Sequence, residues 1–373
     1  MSNPQDQHLD HLVPDDEVTD SEVDLESLRS ETTSIKNSIL EYRIENGRSY
    51  HKYKDGNMQH EICNVTFHGK LGFAPPCDEA AKVGRVLDLG TGTGLWAIDY
   101  GDYHPETEVL GVDLSPIQPQ DVPPNVRFEV DDVEEDWLYS RPFDYIHLRF
   151  MNGSLVNWKK LITKAYNNLV PGGYFEIQDN DFVFTSDDST LPPEQPLAEF
   201  GQLIREAVER FGSAFVPCPE LKNLMVDVGF EDVILEKFKW PSNPWPKDDH
   251  HKRIGQWNFH NFADAAEALA LAPLTRAHGW TKEEVQVFLV GVRKDMRDPK
   301  IHSYMPIYNI VGRKPMKEDT PAPPQDTAQG QDIVPAANAA PPRAHPLIRK
   351  ILFSSLEQDS VLTTEGMFVL EEV

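Results

Sequence analysis

The nine residues Val86-Leu87-Asp88-Leu89-Gly90-Thr91-Gly92-Thr93-Gly94 restrict the fold more than any other stretch of the chain. They read as an apolar strand, a carboxylate, glycines at every second position and then the start of a helix over 95–103. A glycine-rich turn between strand and helix is where open parallel sheets bind ligands, because the backbone there comes closer to a ligand than a Cβ allows. The rest keeps the same rhythm. Strands are expected at 85–89, 108–112, 126–130, 143–148 and 174–178, and a helix over 158–169 stops at Pro171-Gly172-Gly173. Further helices are expected at 196–211, 220–228, 250–278 and from Thr281 to about Arg297, with strands at 233–240 and 301–311 closing the sheet as an antiparallel, hairpin-like edge. Strands alternating with helices of this length predict a doubly wound α/β fold, Rossmann-like, with helices on both faces of the sheet.

The glycine spacing selects the ligand. Dinucleotide sites use G-x-G-x-x-G and phosphate loops end in Gly-Lys, and neither pattern is present. Asp88 beside the turn disfavours a pyrophosphate on Coulomb grounds and suits a ligand carrying an ammonium group. S-adenosylmethionine has that ammonium, a cationic sulfonium and no phosphate. Asp113, at the end of the second strand, stands close to the offset at which such folds place an acid on ribose hydroxyls. Asp131-Asp132-Val133 follows the third strand, where a side chain can accept a hydrogen bond from an adenine amino group. The expected cofactor site is therefore Asp88, Gly90, Thr91, Gly92, Gly94, Asp113, Leu114, Asp131, Asp132 and Val133.

Composition sets the surroundings. With 61 acidic residues against 35 Lys and Arg, the formal charge of −26 argues against direct binding to nucleic acid or to an anionic membrane. Three dispersed cysteines exclude a disulfide scaffold and a Cys-rich zinc module. They fit a reducing compartment, the cytoplasm with the nucleus as the alternative. No apolar run is long enough to span a bilayer, and no secretory leader is read at the N-terminus. Residues 1–29 read as an acidic disordered arm, since the first 26 contain nine Asp or Glu and no Lys or Arg. Residues 30–82 read as an N-terminal helical cap, with Ile35, Ile39 and Tyr42 at helical spacing before Asn46-Gly47 stops the helix. The sheet domain spans 83–314, a Pro/Ala-rich linker 315–346, and an apolar-flecked tail 347–373. Arm and tail are the places for a protein partner.

Several runs outside the turn carry a family likeness: Tyr42-Arg43-Ile44-Glu45-Asn46-Gly47-Arg48-Ser49-Tyr50-His51, Leu95-Trp96-Ala97-Ile98-Asp99, Asp113-Leu114-Ser115-Pro116-Ile117-Gln118-Pro119, Pro123-Pro124-Asn125-Val126, Phe143-Asp144-Tyr145-Ile146-His147, Pro171-Gly172-Gly173-Tyr174-Phe175-Glu176, Trp245-Pro246-Lys247-Asp248 and Gly312-Arg313-Lys314-Pro315. With the glycine motif, they make 83–314 resemble the class I methyltransferases, and more narrowly the fungal LaeA-like group. The resemblance implies a seven-stranded sheet and methyl transfer from S-adenosylmethionine. It also implies a place in fungal secondary metabolism, as a pathway enzyme acting on a small molecule or as a nuclear regulator acting through partners.

Methyl transfer is an in-line displacement that mainly needs alignment, with a base if the acceptor is a hydroxyl. Acceptor-side groups are expected in the loops after the fourth and fifth strands: His147, Arg149 and Asp179 first, with Asn152, Gln178 and Asp181. Each also has a plain structural reading, as a buried strand histidine, an edge ion pair or a turn cap. Trp137, Trp240, Trp245 and Trp257 line an acceptor pocket or belong to the core. His250-His251 with His260 lacks a third ligand at metal-binding spacing, so no metal is expected.

Overall fold

The computed structural model describes residues 12–15, 43–45, 48–50, 56–213 and 215–316. The expected helix over 31–42, most of the arm, the linker beyond Met316 and the tail lie outside the described residues. In chain order the elements are β1 (Arg43–Glu45), β2 (Arg48–Tyr50), α1 (Gly56–Thr66), β3 (Arg85–Leu89), α2 (Leu95–Tyr103), β4 (Glu108–Asp113), β5 (Val126–Val130), β6 (Phe143–Arg149), α3 (Trp158–Asn168) and β7 (Leu169–Asn180). They continue as β8 (Thr185–Ser186), α4 (Pro196–Arg210), α5 (Cys218–Val228), β9 (Glu231–Pro241), α6 (Asp249–Ala277), α7 (Lys282–Arg297) and β10 (Ser303–Arg313). No described helix is long and apolar enough to cross a membrane.

The sheet runs β5-β4-β3-β6-β7-β10, with β9 on the far side of β10 and the two-residue β8 against the first residues of β10. Strands β3 to β7 are parallel, and β10 is antiparallel to both β7 and β9. The expected doubly wound fold is therefore present, with seven long strands and one short one. Alternation along the strands divides the core. Leu87, Leu89, Leu110, Val112, Ile146 and Leu148 pack on Trp158, Leu161 and Ile162 of α3 and on Leu221 and Met225 of α5. Val86, Val109 and Tyr145 face the other way, onto Trp96, Ala97 and Tyr100 of α2. Asp88 and His147 share the α2 side with Tyr145. A third core joins Ile62 of α1 and Trp240 of β9 to Phe200 and Ile204 of α4, Ala266 and Leu274 of α6 and Leu289 of α7.

Four expectations change. The described residues on either side of Asn46-Gly47 are strand and not the last turn of a helix: β1 and β2 pair antiparallel with Glu45 opposite Arg48. Asn-Gly between two short extended runs is a hairpin signal, and the hairpin prevails. Strand β7 starts at Leu169 rather than Tyr174. Its partners on β6 jump from Phe143↔Leu169 to Tyr145↔Tyr174, so Pro171-Gly172-Gly173 forms an excursion within the strand. Lys314 pins it, accepting from Gly172 N at 2.9 Å and donating to Gly173 O at 2.8 Å. The antiparallel edge is not a hairpin, since α6 and α7 separate its strands and β10 lies inside β9. Finally, part of the acidic arm is docked. Leu12 is buried, Pro14 bridges to Pro246, Asp15 N donates to Trp245 O at 3.0 Å and Lys247 N donates to Val13 O at 2.9 Å. Asp15 pairs with Lys252 at 2.5 Å. Leu12-Val13-Pro14 is a short apolar island in the arm, and burying it overrides the surrounding charge.

Candidate active site

The chain runs outward from β3 to β4 and β5, then returns to β6 on the other side of β3. That reversal opens a crevice beyond the carboxyl ends of β3, β4 and β6, the usual ligand position in open parallel sheets. A pocket occupies it. Asp88, Gly90, Thr91, Gly92, Asp113, Leu114, Asp131, Asp132 and Val133 all line it, as do His147 and Arg149.

Gly94 does not line the pocket. It caps α2 in the left-handed region at φ +82°, and a Cβ there would run into the Phe128 ring. Its lack of a side chain serves the turn and the packing of β5, not a ligand.

Asp88 is already engaged. Thr91 Oγ1 donates to its Oδ2 at 2.6 Å and His147 Nδ1 sits 2.7 Å from its Oδ1, with the residue 2% exposed. Each carboxylate oxygen thus has one protein partner and keeps a second lone pair, so Asp88 holds the turn and orients His147 while still lining the pocket. With Nδ1–H given to Asp88, the His147 ring presents its lone pair at Nε2. The ring lies flat against the Trp96 indole, centroids 3.8 Å apart at 4°, and Nε2 has no protein partner. A buried polar atom without a partner, in a residue that lines a pocket, marks a place where a ligand completes the bonding.

Asp113 binds the glycine turn to β4. Its Oδ2 accepts from Gly92 N at 2.9 Å and its Oδ1 from Ser115 N at 2.8 Å. Burial raises its pKa, while these backbone donors favour the charged form. Each oxygen keeps a second lone pair for a ligand hydroxyl. Beside it Leu114 is 38% exposed, an apolar surface facing the crevice. After β5, Asp132 Oδ1 accepts from Glu134 N at 2.9 Å and Asp132 N donates to Asp131 Oδ1 at 2.8 Å, fixing the turn that carries Val133.

On the other side, Arg149 Nε donates to Gln178 Oε1 at 2.8 Å. Asp179 does not reach the pocket. It is 1% exposed and accepts from the backbone of Met151 and Asn152, both at 2.8 Å, and from Asn180 N at 2.8 Å. Burial pushes it up to about 7 against those three donors. It anchors the loop after β6. Asn152, Gln178 and Asp181 also lie outside the lining; Asn152 bridges Asn180 O and Val216 O. The tryptophans belong to the frame. Trp240 Nε1 donates to Thr66 Oγ1, Trp245 Nε1 to Ser303 O and Trp137 Nε1 to Val133 O. His250 stacks on His68, His251 sits 2.9 Å from the α6 cap Asp248, and no metal-holding group of His, Cys, Asp or Glu occurs among the described residues. Burial raises the thiols of Cys63, Cys77 and Cys218, so none is a thiolate nucleophile.

Among the lining residues that sequence reasoning missed are Gln59 and His60 of α1, Trp96, Glu134 and Met151. Trp96 lies within one of the family-like runs, four residues after the middle glycine of the turn, and its neighbours there gave the signal that could have found it. The pair on α1 has no periodic or spacing signal. The whole lining fits a cationic, phosphate-free nucleoside: five carboxylates (Asp88, Asp113, Asp131, Asp132 and Glu134), one guanidinium and an unsatisfied imidazole nitrogen.

Comparison with known proteins agrees. A methyltransferase-domain family model matches residues 57–235. The chain is 37% identical to methyltransferase pytC of Aspergillus terreus, over 79% of this chain and 96% of that one. It is 36% identical to the secondary metabolism regulator LAE1 of Cochliobolus heterostrophus, over 74% and 95%. It is also 30% identical to the protein-methionine methyltransferase laeA of Emericella nidulans, over 74% and 78%.

Proposed function

The chain belongs to the LaeA-like family of fungal S-adenosylmethionine-dependent methyltransferases, and we propose that it methylates a small-molecule intermediate of secondary metabolism. The bound cofactor supplies a methyl group on a cationic sulfur that departs with the bonding pair. The chain's own residues bind and align. Asp113 takes the ribose hydroxyls on its remaining lone pairs, and Leu114 offers its exposed face to the base. The Asp131–Val133 turn meets the adenine edge, and the backbone of Gly90, Thr91 and Gly92 borders the sulfur. Gly94 shapes this wall from behind, and Asp88, in the lining, holds the turn to it. His147 Nε2, with its lone pair fixed by the Asp88 bond, takes a proton from the acceptor.

The observation that carries the acceptor class is the lining between His147 and α3. Phe150, Met151 and Leu155 supply apolar walls, and Arg149 is the one Lys or Arg among the described lining residues. Such a site suits a compact, largely apolar acceptor and opposes a polyanion. In this reading the enzyme works in the cytosol, whose reducing interior suits its free cysteines.

A second reading has a specific motive: two of the compared relatives are named as a regulator and as a protein methyltransferase. In it the acceptor is a protein, the arm or tail recruits a partner, and the enzyme works in the nucleus. Metabolite profiling of a deletion strain separates the two. Loss of one methylated product with accumulation of its unmethylated precursor supports the pathway enzyme. Loss of many unrelated products supports the regulator.

A further inference from the structure

We propose that Arg149 is the carboxylate-binding group of the pocket, and that the carboxylate it takes belongs to the methionine half of S-adenosylmethionine. The assignment rests on the crevice being the cofactor site.

The pocket's charge is lopsided. Five carboxylates line it, and Arg149 is the only Lys or Arg among its described lining residues. The contacts of that guanidinium are all neutral among the described residues: Gln178 Oε1 at 2.8 Å from Nε, His60 Nδ1 at 3.4 Å from Nη1 and Leu71 O at 3.5 Å from Nη2. The acids around it stand one residue further back. Gln178 Nε2 donates to Glu176 Oε1 at 3.2 Å, and His60 Nε2 lies 2.9 Å from Asp99 Oδ2. Glu176 is itself occupied by Phe73 N, Ala74 N and the Tyr145 hydroxyl. A half-buried guanidinium held only by neutral acceptors is costly to keep without a counter-ion. Its planar fork favours a carboxylate, with which it makes two parallel hydrogen bonds.

The strand order says which carboxylate. Along β5-β4-β3-β6 the pocket presents the Asp131 turn, then Asp113, then the glycine turn, then Arg149. An adenosyl ligand laid out with its base at β5 and its ribose at β4 carries its sulfur across β3 and its amino-acid end to β6. The ligand is cationic at the sulfur and anionic at the far end, and the wall has the opposite pattern. His60 is the positioning residue. By giving Nε2–H to Asp99 it keeps Nδ1 as an acceptor, which steadies the guanidinium without neutralising it.

Calorimetry with two ligands tests the assignment. S-adenosylhomocysteine has the carboxylate, and 5′-methylthioadenosine is the same thioether nucleoside without the amino acid. Arg149→Met is expected to weaken S-adenosylhomocysteine roughly 10- to 100-fold, as for one lost charge-assisted pair. It should leave methylthioadenosine within about twofold of wild type, which also shows that the variant is folded. Arg149→Lys, which keeps the charge but loses the fork, should fall between. His60→Ala should weaken S-adenosylhomocysteine by less than Arg149→Met and leave methylthioadenosine alone. Unchanged S-adenosylhomocysteine affinity in Arg149→Met overturns the assignment and leaves the guanidinium to an anionic acceptor. Equal weakening of both ligands in Arg149→Met and Arg149→Lys also overturns it, in favour of a structural role. If the wild type binds neither ligand, the cofactor reading fails first and takes Arg149 with it.

Discussion

The two ends of the crevice are built differently. At the β3–β5 end most of the polar bonds span short stretches of chain, Thr91 to Asp88, Ser115 to Asp113, Gly92 to Asp113 and Glu134 to Asp132 being no more than 21 residues apart, with the Asp88–His147 bond, 59 residues apart, as the long one. At the β6–β7 end the corresponding bonds join Glu176 to Phe73 and Gln178 to Leu71, 103 and 107 residues apart. The first end is encoded locally and the second is assembled from distant segments. A local turn tolerates sequence change elsewhere in the chain. An assembled wall depends on every segment that meets in it.

The largest expected effect tests the assembled end. Glu176 is 0% exposed, and its oxygens receive two backbone N–H groups, the Tyr145 hydroxyl and the Gln178 amide. Glu176→Ala strands these donors and should lower unfolding stability by about 3 kcal/mol or more, read by urea titration. A loss under about 1 kcal/mol would mean the wall is not held this way.

Next comes the local end. Asp113→Ala should weaken S-adenosylhomocysteine by roughly 1–3 kcal/mol, as for buried hydroxyls left unpaired. Because its two protein bonds are local, global stability should fall by less. Unchanged affinity in calorimetry removes the ribose contact from the site.

A smaller effect concerns Asp179, which burial pushes up to about 7 while an unfolded aspartate titrates near about 3.9. Between those values the unfolded chain has given up a proton that the folded chain retains. The contribution of this group to stability therefore falls as pH rises from about 4 to about 7 and is level above that. Thermal melts from pH 5 to 8 should show this slope as a difference between wild type and Asp179→Asn, which cannot ionise. A difference that grows in the opposite direction would mean the three backbone donors outweigh burial.

The smallest effect lies outside both ends. Deleting residues 1–26 removes the contacts of Leu12 to Asp15 with Trp245, Lys247 and Lys252, none of which lines the pocket. Stability should drop by no more than about 1 kcal/mol, as for a partly exposed ion pair and little apolar area. S-adenosylhomocysteine affinity should not change, and a large loss would place the arm over the crevice.

The same contrast decides what is legible in the sequence. The β3 strand, its turn and the acids after β4 and β5 can be read from it, because strand, turn and helix signals sit within a few residues of one another. For Gly94 the pattern gives the right corner and the wrong role, and for Asp88 it gives the right corner and only part of the role. Spacing reveals a glycine-rich turn, but not that Phe128 crowds Gly94 or that His147 engages Asp88. Asp179 moves one step, from pocket wall to anchor, since a carboxylate at a strand end looks the same in both roles. His60 is invisible. Its relevance depends on α1 folding over β6, a contact between segments 89 residues apart that no local pattern encodes. Asn46-Gly47 is legible as a stop, while the strands that flank it, only three residues each, are too short to give a period-2 signal.

Glu176 has one more consequence. The stretch from Leu71 to Ala74 is fastened to it by two amides and to Trp96 through Leu71 O at 2.9 Å. Swinging that stretch aside would take two of its four donors from a buried carboxylate in the middle of a sheet. The stretch therefore acts as a fixed jamb of the crevice, and the opposite jamb is the Asp131–Glu134 turn, where Glu134 Oε1 accepts from Val156 N at 2.9 Å and from Asn157 N at 3.2 Å.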